Sequence, residues 1–175
     1  MKKLLPVLLV LFVTGLSFGQ SSDPILSSWL LNTTGVTGYN GLPANVQKVQ
    51  YSQDYVYISS SGIPAYSIGP WPGDPNQASD QSFVFQIPRN PTEETGTKTF
   101  TPLGTIGVLI NGVAIFNAED AHTYNNMGIW HRNAVVVEAS SFDTCLGHPQ
   151  MQAIYHHHQN PGCLYKANST NHSPI

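Results

Sequence analysis

Four of the seven histidines in this 175-residue chain, His148, His156, His157 and His158, fall between its two cysteines, Cys145 and Cys163. Imidazole is a preferred ligand for zinc and copper. On an extended segment side chains alternate from face to face, so extension over residues 154–158 puts His156 and His158 on one face. His157 then points away, to solvent or to a backbone partner. Two imidazoles on one face, joined by a third from a loop, make a site for zinc or copper. His148 is the expected third ligand, because a bond between Cys145 and Cys163 would fold its loop back toward the strand. Asp143 is the nearest carboxylate, either as a ligand or as the outer acceptor that fixes an imidazole tautomer. Three protein ligands would leave a position for water, and with it hydrolytic or redox chemistry. His122, His131 and His172 read as ordinary surface or hydrogen-bonded residues.

The redox reading of the cysteines depends on compartment, and the N-terminus indicates one. Lys2 and Lys3 precede an apolar run over residues 4–16, and Ser17 and Gly19 supply small residues at the −3 and −1 positions of a cleavage site. Residues 1–19 therefore read as a signal peptide. The run is shorter than the roughly 20 residues of a membrane span, and polar Gln20 to Asp23 end it. The mature protein is expected to be secreted, periplasmic or at the cell surface, with no membrane span. An isolated cysteine pair in such a compartment favours a Cys145–Cys163 disulfide. The alternative, Cys145 and His148 as half of a zinc site, is weaker there.

Without Lys2 and Lys3 the seven basic side chains become five against ten acidic ones, a net charge of −5. No basic patch is left to neutralise phosphates, which argues against a nucleic-acid ligand. Beyond residues 1–19 the chain also lacks Gly-x-Ser-x-Gly, His-Glu-x-x-His, Cys-x-x-Cys and a phosphate-binding glycine loop. Glu119, Asp120 and His122 read as a polar loop. Glu138, beside three valines, needs a partner if buried, and Arg132 is the nearest cation.

The elements that must position these groups are short. Thirteen prolines and fifteen glycines point to many turns and no long helix. Tyr55 and Tyr57 alternate with Val56 and Ile58, and Phe83, Phe85 and Ile87 with Val84 and Gln86, as strands do. Residues 69–76 are a Pro/Gly-rich irregular loop. Asn111-Gly112 between apolar runs is the signature of a type I′ hairpin. Residues 130–140 fit either a strand or a helix. The expected fold is a single mainly-β domain, sandwich-like or an irregular barrel, with one disulfide and little helix. A polar N-terminal segment, residues 20–45, would pack on a β domain over residues 46–175.

The motif Phe142-Asp143-Thr144-Cys145-x-Gly147-His148-Pro149, followed by Tyr155-His156-His157-His158 and Pro161-x-Cys163-Leu164, resembles the YHYH-domain family of exported proteins. The resemblance extends over most of residues 46–175. His157 stands where the namesake motif has its second tyrosine, a change that leaves His156 and His158 in place. Family members look to continue beyond Ile175 into a further strand region, so the domain is expected to be incomplete at its C-terminus. The family implies an exported domain and no particular reaction. Two readings follow: a domain binding zinc or copper through His148, His156 and His158, or a non-enzymatic cell-surface or polysaccharide-binding module. In the second, Trp29, Trp71 and Trp130 are aromatic platforms and the histidines are structural.

Overall fold

Alternating apolar side chains build the first sheet. β1 (Val46–Tyr51) pairs antiparallel with β2 (Tyr55–Ser60), which pairs on its other edge with β3 (Phe83–Pro88). Val56 and Ile58 are fully buried while Tyr55 is exposed, the period of two that their sequence predicts. Ser52 closes the β1–β2 turn, its hydroxyl accepting from the N–H groups of Asp54 and Tyr55. The computed structural model describes residues 23–167; the expected signal peptide and His172 lie outside them.

Val46, Val56 and Ile58 form one apolar cluster, covered by Ile25, Leu26 and Trp29. Ile25 and Leu26 belong to the short helix α1 (Pro24–Ser27), capped by the Asp23 carboxylate on Ile25 N–H. A second cluster gathers Ile63, Ile68, Trp71, Ala78, Val113 and Tyr155. Trp71 is thus a core residue, not an exposed platform: the irregular loop folds inward, and its ring meets Tyr39 edge-on at 5.2 Å.

The chain continues through β4 (Thr105–Val108), β5 (Ala114–Phe116), the paired strands β6 (Glu119–Thr123) and β7 (His131–Asn133), then β8 (His148–Pro149) and β9 (Tyr155–His157). Its second sheet has the order β4-β5-β9-β8, with β5 and β9 parallel and the other pairs antiparallel. The β4–β5 hairpin forms as expected, with Val108 opposite Ala114, but its turn is not type I′. Leu109 N–H donates to Val113 O and Gly112 N–H to Leu109 O, both at 2.8 Å. Of the two residues only Gly112 has positive φ, +79°. This is a three-residue turn with glycine at its left-handed position. Asn111 is instead buried, with Oδ1 accepting from Val113 N–H. A Cβ on Gly112 would lie 2.3 Å from Ser60 Oγ, so glycine is required for space as well as for conformation.

The ambiguous stretch resolves into both forms. β7 ends at Asn133, whose side chain accepts from Val135 N–H and starts α2 (Ala134–Val137). The last element, α3 (Gly162–Ala167), carries Cys163 to Cys145, and the two are disulfide-bonded with Cα atoms 5.1 Å apart. Among the described residues strand outweighs helix, 29 % to 14 %, and no sheet closes into a barrel. The domain is mainly β.

Candidate metal centre

The β8–β9 hairpin places two of the imidazoles by register alone. His148 lies directly opposite His156 across the antiparallel pair, where side chains on one face are neighbours. The turn between them mirrors the β4–β5 turn. Gln150 N–H donates to Ile154 O and Ala153 N–H to Gln150 O, with Ala153 at φ +63° in the position that Gly112 takes in the other. His158 follows the end of β9, and its Nδ1 lies 2.6 Å from Asn117 O, just beyond β5. Ring centroids are 4.7 Å apart for His148 and His156, 4.8 Å for His156 and His158, and 5.8 Å for His148 and His158. One nitrogen from each ring lies within 4.8 Å of the other two, a spacing that can hold one ion.

Hydrogen bonds at Nδ1 set the tautomers. His156 Nδ1 faces Ile154 O at 3.0 Å and His158 Nδ1 faces Asn117 O. Carbonyls only accept, so both rings carry their proton on Nδ1. At His148 the Nδ1 partner is Ser141 Oγ, 2.7 Å away, whose own proton goes to Glu138 O. Ser141 therefore accepts from His148 Nδ1–H as well. The buried Asp74 carboxylate, 3.4 Å from the same nitrogen, also favours a proton there. In neutral rings all three Nε2 atoms would then carry lone pairs, and those of His156 and His158 face each other at 3.1 Å. Neutral rings cannot bond to each other in that arrangement. Burial holds the His156 ring neutral, its pKa lowered to about 3. Buried His148 Nε2 has no hydrogen-bond partner; it lies 3.1 Å from Glu138 Oε2, but off the line of a hydrogen bond.

Aromatic side chains wall the cluster. Phe116 stacks on His156 with centroids 3.8 Å apart, and Phe142 meets His148 edge-on at 4.9 Å. The rings open on a cleft of about 590 Å³, lined also by Glu138, Glu119 and Gln150. A larger cavity of about 850 Å³ lies between β3 and β4. Its walls are mostly apolar, with the Arg89–Asp23 ion pair at 3.2 Å.

Two carboxylates change places relative to the sequence reading. Asp143 bonds to none of the three rings. Its Oδ1 accepts from Cys145 N–H and Gly147 N–H, and its Oδ2 from Gly69 N–H and Tyr155 OH. It is occupied in holding the loop before β8, which its distance of two residues from Cys145 did not reveal. Turn chemistry was the available signal: an aspartate a few residues before a glycine commonly accepts from the backbone of its own turn. Glu138 takes the place expected of Asp143. Arg132 does not pair with it, because its Nε donates to Asp120 Oδ2 at 2.7 Å within the β6–β7 pair. Glu138 Oε2 lies instead 3.1 Å from His148 Nε2 and 3.5 Å from His158 Nε2. Hydrogen bonding from His148 and then His158, where those rings carry a proton on Nε2, holds its carboxyl well below the usual carboxylate range. Nothing in the residues around Glu138 pointed to this site.

His157 occupies the opposite face of β9, as alternation predicts, but it does not reach solvent. The residue is 1 % exposed. Its Nδ1 donates to Leu146 O at 2.9 Å, and its Nε2 accepts from Tyr66 OH at 3.0 Å. Gly147 lets the loop approach: a Cβ there would lie 2.5 Å from Tyr155 OH and 2.7 Å from the His157 ring.

A family model described as "YHYH protein" matches residues 84–175, a span that contains all three imidazoles, Glu138 and both cysteines. No curated protein and no solved structure matches the chain.

Proposed function

The chain belongs to the YHYH protein family, and from that premise and the imidazole geometry we propose that it is an exported domain binding one zinc or copper ion through His148, His156 and His158. One observation carries the reading. Three buried or half-buried rings, each holding an Nδ1 proton on a partner, leave every Nε2 lone pair free when neutral, with two of these nitrogens 3.1 Å apart. Such lone pairs repel unless a proton or a metal cation lies between them, and a metal ion satisfies all three at once. Ligand atoms about 2.0–2.1 Å from a tetrahedral zinc lie about 3.3 Å from one another, close to that separation. Backbone carbonyls on the Nδ1 protons of His156 and His158 supply the outer hydrogen bonds that orient metal-binding imidazoles. The lysine-led apolar run at residues 1–19 and the Cys145–Cys163 bond support export.

Elemental analysis of protein purified without an affinity tag tests the proposal. About one zinc or copper per chain is expected, and none after His156→Ala. Metal-free wild-type protein that takes up neither ion in a titration would sink it.

A surface-binding module is the second reading, favoured by one feature of the β6–β7 pair. Its connection exposes Tyr124, Met127, Ile129 and Trp130, the last of them 80 % accessible. An exposed aromatic group of this kind suits the faces of sugar rings on a polysaccharide. Loss of polysaccharide retention in Trp130→Ala, with metal content unchanged, would support this reading.

A further inference from the structure

We infer that Glu138 is the fourth ligand of this centre, closing it as a site of three histidines and one glutamate that holds its ion by protein groups alone. The inference rests on the metal reading above and goes beyond it, because three imidazoles by themselves would leave a position for water.

Three of the donor separations match the edges of a tetrahedron, and the three imidazole nitrogens all lie within 4.8 Å of one another. Four donor atoms around one zinc define six edges, each about 3.3 Å long. Three of them can be read directly: His156 Nε2 to His158 Nε2 at 3.1 Å, His148 Nε2 to Glu138 Oε2 at 3.1 Å, and His158 Nε2 to Glu138 Oε2 at 3.5 Å. The same carboxylate oxygen thus touches two of the three rings at ligand spacing. Chemistry agrees with distance. With the Nδ1 protons held by Ile154 O, Asn117 O and Ser141 Oγ, neutral rings have nothing on Nε2 to donate to the carboxylate. Arg132, the nearest cation in sequence, is committed to Asp120. A carboxylate facing lone pairs with no proton between them is repelled in the same way as the rings facing one another. A divalent ion at the common centre turns all of these contacts favourable at once.

Local structure shows how Glu138 arrives there. It follows the single turn of α2, and its backbone N–H donates to Ala134 O. Its carbonyl accepts from the Ser141 hydroxyl that also receives His148 Nδ1–H. One short segment therefore sets both the tautomer of His148 and the position of the carboxylate beside it.

A centre with four protein ligands is a holding site, whereas hydrolytic zinc keeps a position for water. The inference therefore assigns the domain to metal binding and away from metal-assisted hydrolysis.

Zinc titration of the metal-free mature chain against a chromophoric chelator, for wild type, Glu138→Ala and the isosteric Glu138→Gln, gives the first test. Both variants should bind zinc at least ten-fold more weakly, the lower bound for losing even an outer-shell partner. Cobalt(II) loading gives the second. The wild-type absorption spectrum should be unchanged by azide, while Glu138→Ala should bind azide at the vacated position and shift its bands. Variants that bind zinc as tightly as wild type, or wild-type cobalt that takes azide as readily as Glu138→Ala, would overturn the inference and leave the three-histidine reading standing. Wild type that takes up neither zinc nor cobalt would overturn both.

Discussion

His156 and His157 are chain neighbours on β9, and both rings are buried, yet their surroundings differ in kind. On one face, His157 gives its proton to Leu146 O and receives one from Tyr66 OH, while Tyr155 donates to an Asp143 that also accepts three backbone N–H groups. Every polar atom of that set has a partner. On the other face, His148, His156 and His158 each satisfy Nδ1 and turn Nε2 toward one another and toward Glu138. Burial lowers both pKa values, to about 3 for His156 and about 4 for His157. The two faces of one strand thus separate a polar network that holds the fold together from three imidazoles whose spacing could hold one ion. Burial alone does not distinguish these roles; hydrogen-bond bookkeeping at each nitrogen does.

Removing the hub of the satisfied face should have the largest effect. Asp143→Ala strands three backbone N–H groups and the Tyr155 hydroxyl, and at about 1–3 kcal/mol for each buried orphan a loss on the order of 4 kcal/mol is expected in urea unfolding. A loss below about 1 kcal/mol would mean that this face is not what secures β8 and β9.

Substitutions on β9 and just after it should separate stability from metal. His157→Ala should destabilise the metal-free protein by about 3 kcal/mol, through a lost buried ring and an orphaned Tyr66 hydroxyl, and still bind zinc. His158→Ala should abolish stoichiometric zinc while destabilising the metal-free protein less than His157→Ala does. If His157→Ala removes the metal as completely, the division between faces is wrong.

Acid should act on both faces, and the sign follows from the lowered pKa values. Unfolded chains protonate their histidines near pH 6.5, whereas folded His157 resists until about pH 4. The stabilisation is therefore complete above about pH 6.5 and is lost progressively as pH falls toward 4. For His157 a difference of this size is about 3 kcal/mol at the acid end. Metal-free wild type should lose stability over that window, and His157→Gln should lose less. Equal slopes would show that His157 titrates normally in the folded state.

The smallest effect belongs to the two hairpin turns. Gly112 and Ala153 take the same left-handed position, at φ +79° and +63°, but only glycine does so without strain. Ala153→Gly should raise stability by about 1 kcal/mol, the strain relieved outweighing the added chain entropy, with zinc binding unchanged. A lower melting temperature would contradict the turn described here.

Local rules made several parts of this molecule legible. Alternation over residues 55–58 and 83–87 marked two strands of the first sheet, Asn111-Gly112 marked a hairpin, and the isolated cysteine pair marked the bond that forms. Alternation also separated His157 from His156 and His158. These inferences work because strand period and turn chemistry operate over a few residues, where sequence and space coincide. The inward turn of Trp71 was not legible, because an irregular loop has no period to reveal which side it buries.

The site divides along the same line. Spacing in the chain determined that two imidazoles share a face, and the ligand type suggests zinc or copper for them. Tertiary structure decided the rest. Strand register, not loop closure alone, brings His148 opposite His156. The turn that follows α2 brings Glu138 up to the rings, while Asp143 is left to the backbone. Charge proximity in sequence suggested Arg132 for Glu138, but the β6–β7 pair delivers that arginine to Asp120. Which donor meets which acceptor is a long-range outcome: hydrogen bonds and coordination act over about 3 Å, and only the folded chain sets separations that small between residues far apart in sequence.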